Sequence, residues 1–147
     1  MRNLIKRKAG YSVAGYSVME KPLRIIILED RPSDNDLMKF ELQEAGIDFT
    51  AKWVKNEREY VQALHDFSPD LILSDYDLPQ YTGTLALAEA KRLHPEVPFI
   101  LVTGAFDGDG DKMNEILAMG AADCIFKNHL DRLAPTVRRV VSAALRN

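Results

Sequence analysis

The segment Leu71-Ile72-Leu73-Ser74-Asp75-Tyr76-Asp77-Leu78-Pro79 decides how this chain is read. Four residues of strand character run into an acidic side chain, and Pro79 then ends any regular structure. A short apolar run bounded by turn signals reads as a strand buried on both faces. Asp75 stands at its carboxyl end, where open parallel sheets place their ligands. A carboxylate partly withdrawn from water there needs a cation or a reaction to offset its desolvation.

Working outward, the same grammar repeats. Leu23 to Leu28 is a β-branched run ending in Glu29-Asp30 and closed by Pro32. Ser33 is expected to cap a helix from about Asp34 to Ala45, with Asp34 and Asp36 in its first turn and Gly46 as the stop. Within it Leu37 and Phe40 are expected to face inward, with Glu41 and Glu44 outward. Phe49 to Val54 reads as a second strand. Asn56 opens a second helix to about Asp66, with Tyr60, Val61 and Leu64 on one face. After the central strand, Tyr81 to Thr84 leads into a third helix ending near His94-Pro95. Pro98 to Val102 is a fourth strand ending in Thr103-Gly104, and Lys112 to Met119 a fourth helix stopped by Gly120. Asp123 to Phe126 is a fifth strand ending in Lys127. A turn over Leu130 to Leu133 and a helix with Pro135 in its first turn, running to about Leu145, follow.

Five alternations of strand and helix predict an α/β fold: a doubly wound, five-stranded parallel sheet between two helical layers, a flavodoxin-like three-layer sandwich. In the order 2-1-3-4-5, strands one and three are neighbours at the switch point. Glu29, Asp30 and Asp75 then converge on one crevice, with Thr103 and Lys127 at the tips of the next two strands. Like charges this close repel unless a cation neutralises them. Magnesium suits the task, being a hard ion that takes oxygen ligands, keeps waters and accepts a phosphoryl oxygen. The set has the parts of a phosphoryl-transfer site whose nucleophile is a carboxylate.

The totals allow this. The chain has 147 residues, 46% of them hydrophobic and 28% charged, and a net charge of −3. Residues 1–21 carry five bases against one acid, a net of +4, which leaves −7 on the remainder. An acidic body argues against direct nucleic-acid binding. The single cysteine, Cys124, excludes an internal disulfide and reads as an inert buried thiol in a strand. No apolar run approaches the roughly 18 residues of a spanning helix, so a cytoplasmic protein without membrane insertion is expected. Residues 1–21, with their echo Gly10-Tyr11-Ser12-Val13 and Gly15-Tyr16-Ser17-Val18, read as a flexible leader before a domain over 22–147, and Met19 is a candidate start.

The acidic pair Glu29-Asp30, the segment Ser74 to Pro79 with Gly83, the pair Thr103-Gly104, and Gly120-Ala121-Ala122-Asp123 leading to Lys127 occur in order. Together they resemble the receiver domain of two-component response regulators (the CheY-like superfamily) from about Leu23 to Leu145. The resemblance implies that Asp75 accepts a phosphoryl group from a histidine kinase or a histidine phosphotransfer protein. It implies that Asp30 and Asp75 ligate magnesium directly, Glu29 through water, and Asp77 through its backbone carbonyl. Thr103 and Lys127 would each hold a phosphoryl oxygen. A downstream protein would read a change in the face made by the fourth helix, fifth strand and final helix, and a homodimer is open to it. The chain would be a signalling switch acting on itself rather than an enzyme with an external substrate, and no output domain is expected after Asn147.

Two positions depart from the pattern: Cys124 where the family usually has an aromatic residue, and Asn128 where proline commonly follows the lysine. A cis bond before a non-proline residue costs ~3 kcal/mol, so the loop after Lys127 is expected to take another path. Asp75-Tyr76-Asp77 also matches the Asp-x-Asp motif of haloacid-dehalogenase-type phosphatases, which usually place it on the first strand of a longer chain with a cap. A degenerate receiver acting only as an interaction module is the third reading. Asp107, Asp109 and Asp111 do not form a calcium loop, because Lys112 and Ala118 stand where glycine and glutamate are required. A mobile, glycine-rich loop beside the site is expected there instead. His65, His94 and His129, and the arginines 132, 138 and 139, read as surface residues.

Overall fold

The computed structural model describes residues 21–104 and 110–146. The expected leader, apart from Lys21, and the expected loop at Asp107 to Asp109 lie outside the described residues. Five parallel strands, β1 (Leu23–Leu28), β2 (Phe49–Val54), β3 (Leu71–Ser74), β6 (Phe99–Thr103) and β7 (Asp123–Phe126), form one sheet in the order β2-β1-β3-β6-β7. This is the expected order, interrupted in sequence only by a small hairpin, β4 (Asp77–Leu78) and β5 (Tyr81–Thr82). Five helices cover the sheet: α1 (Pro32–Glu44), α2 (Glu57–Asp66), α3 (Gly83–Leu93), α4 (Gly110–Ala118) and α5 (Leu133–Arg146).

Strand alternation divides the core in two. Ile26, Leu28, Ile72, Phe99, Leu101 and Cys124 pack with residues of α2, α3 and α4. Ile25, Ile27, Leu71, Leu73, Ile100, Val102 and Ile125 pack with α1 and α5. Both faces of the central strands are therefore dry, which is why they read as unbroken apolar runs rather than alternating ones. Each fully buried Leu or Ile contributes about 1.5–3 kcal/mol of apolar transfer.

The ends of α1 and the direction of its apolar face differ from expectation. The helix begins at Pro32, which is pre-organised for a first helical position, and its cap residue Arg31 makes no side-chain cap; Ser33 does not cap it. Its buried side chains are Asn35, Met38 and Leu42, whereas Leu37 and Phe40 are 50% and 53% exposed. Both faces of this helix carry apolar residues, so periodicity alone could not choose between them. α2 is capped as expected, with Asn56 Oδ1 accepting from Glu59 N at 2.9 Å.

Between β3 and α3 the chain turns through Pro79 and Gln80, the latter at φ 57°, and Thr82 caps α3. Gly83 then passes against the central strand, donating its N–H to the Tyr76 carbonyl at 2.7 Å. A Cβ there would lie 2.7 Å from Leu101 Cδ1 and 2.9 Å from the Asp75 carbonyl oxygen. Only glycine lets α3 start this close to the tip of β3.

The loop after Lys127 follows its own path, as expected. The Lys127–Asn128 bond is trans, and a 3₁₀ stretch over Lys127–Arg132 leads straight into α5. His65 and His129 are exposed, but His94 is not a simple surface residue. Its Nε2–H donates to the Leu64 carbonyl at 2.6 Å, tying the end of α3 to α2. Arg132, Arg138 and Arg139 are exposed, with Arg138 bonded to the Ala45 carbonyl and Arg139 to Asp123.

Candidate functional site

Strand register brings the acids together. Leu28 pairs with Ser74, so Glu29 and Asp75 are the next step on adjacent strands, and Asp75 N donates to the Leu28 carbonyl at 2.9 Å. Carboxylate oxygens of Glu29, Asp30 and Asp75 lie within 4.8 Å of one another. Glu29 is fully buried and Asp75 is 6% exposed.

The alternation of the strands also fixes which layer each tip addresses. Glu29, Asp75 and Lys127 continue the phase of Ile27, Leu73 and Ile125, the side covered by α1 and α5. Thr103 continues the phase of Phe99 and Leu101, toward α3 and α4. It is 4% exposed at the end of β6 and pairs with Phe126, one residue before Lys127. Asp77 is exposed and opens the β4–β5 hairpin.

Lys127 is the hub. Its Nζ donates to Asp75 Oδ2 at 3.0 Å and to Asp34 Oδ2 at 2.8 Å, and it faces Glu29 Oε1 at 2.8 Å in an ion pair. Burial alone would lower the ammonium's pKa, but the contacts with Asp34, Glu29 and Asp75 hold it above the usual lysine range. Asp75 Oδ1 accepts from Tyr76 N at 2.7 Å, and Glu29 Oε2 from Arg31 N at 3.1 Å. Asp34, Tyr76 N–H and Arg31 N–H were not foreseen as part of the site. For Asp34 the signal was available: an acid in the first turn of the helix that leaves an acidic strand tip.

Three carboxylates, Glu29, Asp34 and Asp75, thus share one lysine, with Asp30 beside them. Glu29 Oε1 is fully buried, with the Lys127 ammonium 2.8 Å away as its counter-charge. A fully buried carboxylate oxygen beside two more acids is a donor set that fits a hard divalent cation. Burial, joined by the negative charge of Asp75, pushes the Glu29 carboxyl from its ordinary 4.5 up to about 7, against the pull of Lys127 and the Arg31 amide.

The sign of that shift gives a prediction. A carboxyl raised on folding binds more protons folded than unfolded, so its contribution is full below about 4.5 and lost as pH rises through about 7. In chelator, the stability of the chain is expected to fall between pH 5 and pH 8 by an amount on the order of 3 kcal/mol. Urea unfolding of the parent and of Glu29→Gln checks this. The variant's profile should be flatter across that window, and equal slopes would refute the assignment.

Cys124 is buried, and burial first, then the Asp123 charge, pushes its thiol up to about 11, which agrees with an inert role. No helix among the described residues is long and apolar enough to cross a membrane.

Comparison with known proteins is consistent with this geometry. The family model of the response regulator receiver domain matches residues 25–138. The luminescence regulatory protein LuxO of Vibrio campbellii is 34% identical over 119 residues, which is 80% of this chain and 25% of that protein. A protein-glutamate methylesterase/protein-glutamine glutaminase of Halobacterium salinarum is 27% identical over 128 residues, covering 80% of this chain and 36% of that one. This chain therefore spans a minor part of the relatives it matches. The crystal structure of the signal receiver domain of a LuxO repressor protein from Vibrio parahaemolyticus superposes with a TM-score of 0.75 at 24% identity, covering 84% of this chain and 93% of that one. A CheY-like receiver domain protein from Methanospirillum hungatei gives 0.74 at 24% identity, covering 86% and 98%.

Proposed function

Because this chain belongs to the response regulator receiver domain family, we propose that it accepts a phosphoryl group on Asp75 and passes the change to a protein partner. The observation that carries the reading is the placement of Asp75: 6% exposed at the tip of β3, beside two further acids and hydrogen-bonded to Lys127. A buried carboxylate so placed is a nucleophile whose charge is held in check by a movable counterion.

The donor is a phosphohistidine of a histidine kinase or of a histidine phosphotransfer protein. A carboxylate oxygen of Asp75 attacks phosphorus, the P–N bond breaks, and the electron pair stays on the imidazole, which takes up a proton. Asp30, Asp75 and the main-chain carbonyl of Asp77 would hold magnesium directly and Glu29 through water. Bound there, the ion would supply positive charge that offsets the charge developing on the phosphoryl oxygens. Lys127 keeps its contact at the same carboxylate and turns toward a phosphoryl oxygen, while the Thr103 hydroxyl donates to another.

Readout follows from Thr103. Drawn toward the phosphoryl group, it moves the end of β6 and with it the start of α4, so the face of α4, β7 and α5 presents a different surface. Cys124 leaves less bulk on β7 than an aromatic would, so Thr103 and the α4 end carry the change without a large ring moving behind them. The product is a signal, and turnover is limited to the chain's own acyl phosphate.

Incubation with magnesium and acetyl phosphate is the direct test. One hydroxylamine-labile phosphoryl group per chain is expected, lost on removal of magnesium. Repeated turnover of small phosphate esters without a labelled chain would instead mark a phosphatase of the Asp-x-Asp type. Absence of both would mark a binding module.

A further inference from the structure

Asp34 has no part in the scheme above, yet it makes one of the two shorter contacts to Lys127, 2.8 Å from Oδ2 to Nζ. It sits in the third position of α1, which starts directly after the acidic tip of β1. Lys127 lies on the α1 side of the sheet by strand alternation, so a first-turn carboxylate of α1 is well placed to reach it. Among the described residues Asp34 is not in the group of acids that can share a cation; that group is Glu29, Asp30 and Asp75. A divalent ion would therefore take charge from those three and leave Asp34 with Lys127 as its counterion.

We propose that Asp34 is a positioning residue that competes with the phosphoryl group for Lys127, and so sets how tightly and how long the site holds that group. This deepens the phosphoacceptor reading and rests on it. In the resting chain Asp34 keeps the ammonium turned toward α1. On phosphorylation one hydrogen bond from Lys127 passes from Asp34 to a phosphoryl oxygen, so what the phosphoryl group gains from the ammonium is reduced by what Asp34 loses. That exchange opposes retention. The chain carries its own brake on the signal, built from a residue on a helix rather than on a strand tip.

Beryllofluoride, a stand-in for the phosphoryl group, tests this on the full chain in saturating magnesium. Trp53, the sole tryptophan, donates its Nε1–H to the Glu29 carbonyl at 2.7 Å and reports binding by fluorescence. Asp34→Asn should bind beryllofluoride about tenfold more tightly, the equivalent of one unit of differential charge interaction. Magnesium affinity alone should change less than about threefold, and Asp34→Glu should return toward the parent. In a Lys127→Ala background the effect of Asp34→Asn should vanish, because the coupling runs through the ammonium. The idea is overturned if Asp34→Asn leaves beryllofluoride affinity unchanged or weaker. It is equally overturned if magnesium and beryllofluoride affinities rise together, or if the effect survives without Lys127. If the parent chain shows no magnesium-dependent response to beryllofluoride, the phosphoacceptor reading itself fails and this inference falls with it.

Discussion

Asp75→Asn is expected to reduce phosphoryl labelling by acetyl phosphate to background, a loss on the order of 10³-fold or more, as removal of a nucleophile demands. The substitution is nearly isosteric. Its amide oxygen can still accept from Tyr76 N–H, the bond that Oδ1 accepts at 2.7 Å, so the tip of β3 should keep its shape. What the substitution removes is the carboxylate proposed to attack phosphorus, and with it one negative charge from a crowded cluster. For that second reason the variant should be no less stable than the parent in chelator. Labelling measured by phosphoprotein gel shift or mass spectrometry, beside an unfolding curve, separates the two effects. Asp77→Asn is the control: its side chain is exposed on β4 and only its backbone carbonyl is assigned a role, so labelling should persist. Residual labelling of Asp75→Asn at the parent's rate would move the phosphoacceptor to another carboxylate, with Asp30 the first to examine.

The strand tips were legible in the sequence because each combines two signals that do not occur together by accident of composition. A doubly buried strand must be apolar along its whole length, and a ligand crevice must begin where that run stops. Ile25 to Glu29, Leu71 to Asp75 and Cys124 to Lys127 each pass from apolar to charged within one or two residues, and the observed strands end at Leu28, Ser74 and Phe126. Helix faces are less sharply written. In α1 the outward pair Leu37 and Phe40 is as apolar as the inward pair Met38 and Leu42, and the difference between them is decided by packing against α5 and β1. The β4–β5 hairpin has two residues per strand, too few for any alternation to register. As a first-turn acid, Asp34 favours the positive end of its helix. That role is compatible with its position, but helix periodicity cannot show that the same carboxylate reaches across to a lysine far along the chain.

Lys127→Ala bears on the electrostatics of the whole site. In the metal-free chain Lys127 is the cation shared by Glu29, Asp34 and Asp75. Deleting one partner of a buried ion pair typically costs about 3–5 kcal/mol, because the remaining charge is stranded. Two features reduce that here. Asp34 retains 21% of its side-chain surface in water, and Glu29, already pushed up to about 7, can take a proton instead of a counterion. The expected deficit is therefore ~2 kcal/mol at pH 8 in chelator and smaller at pH 5, where Glu29 is neutral in both proteins. Magnesium and Lys127 both neutralise Glu29 and Asp75, so excess magnesium should close most of the gap, and the variant should bind the ion about tenfold more tightly by losing a competitor. Urea unfolding at the two pH values, with and without magnesium, reads all three effects from one set of curves. A deficit that is equal at both pH values and indifferent to magnesium would mean that Lys127 stabilises the chain through the packing of its methylene stem, and the ion-exchange picture of the site would be wrong.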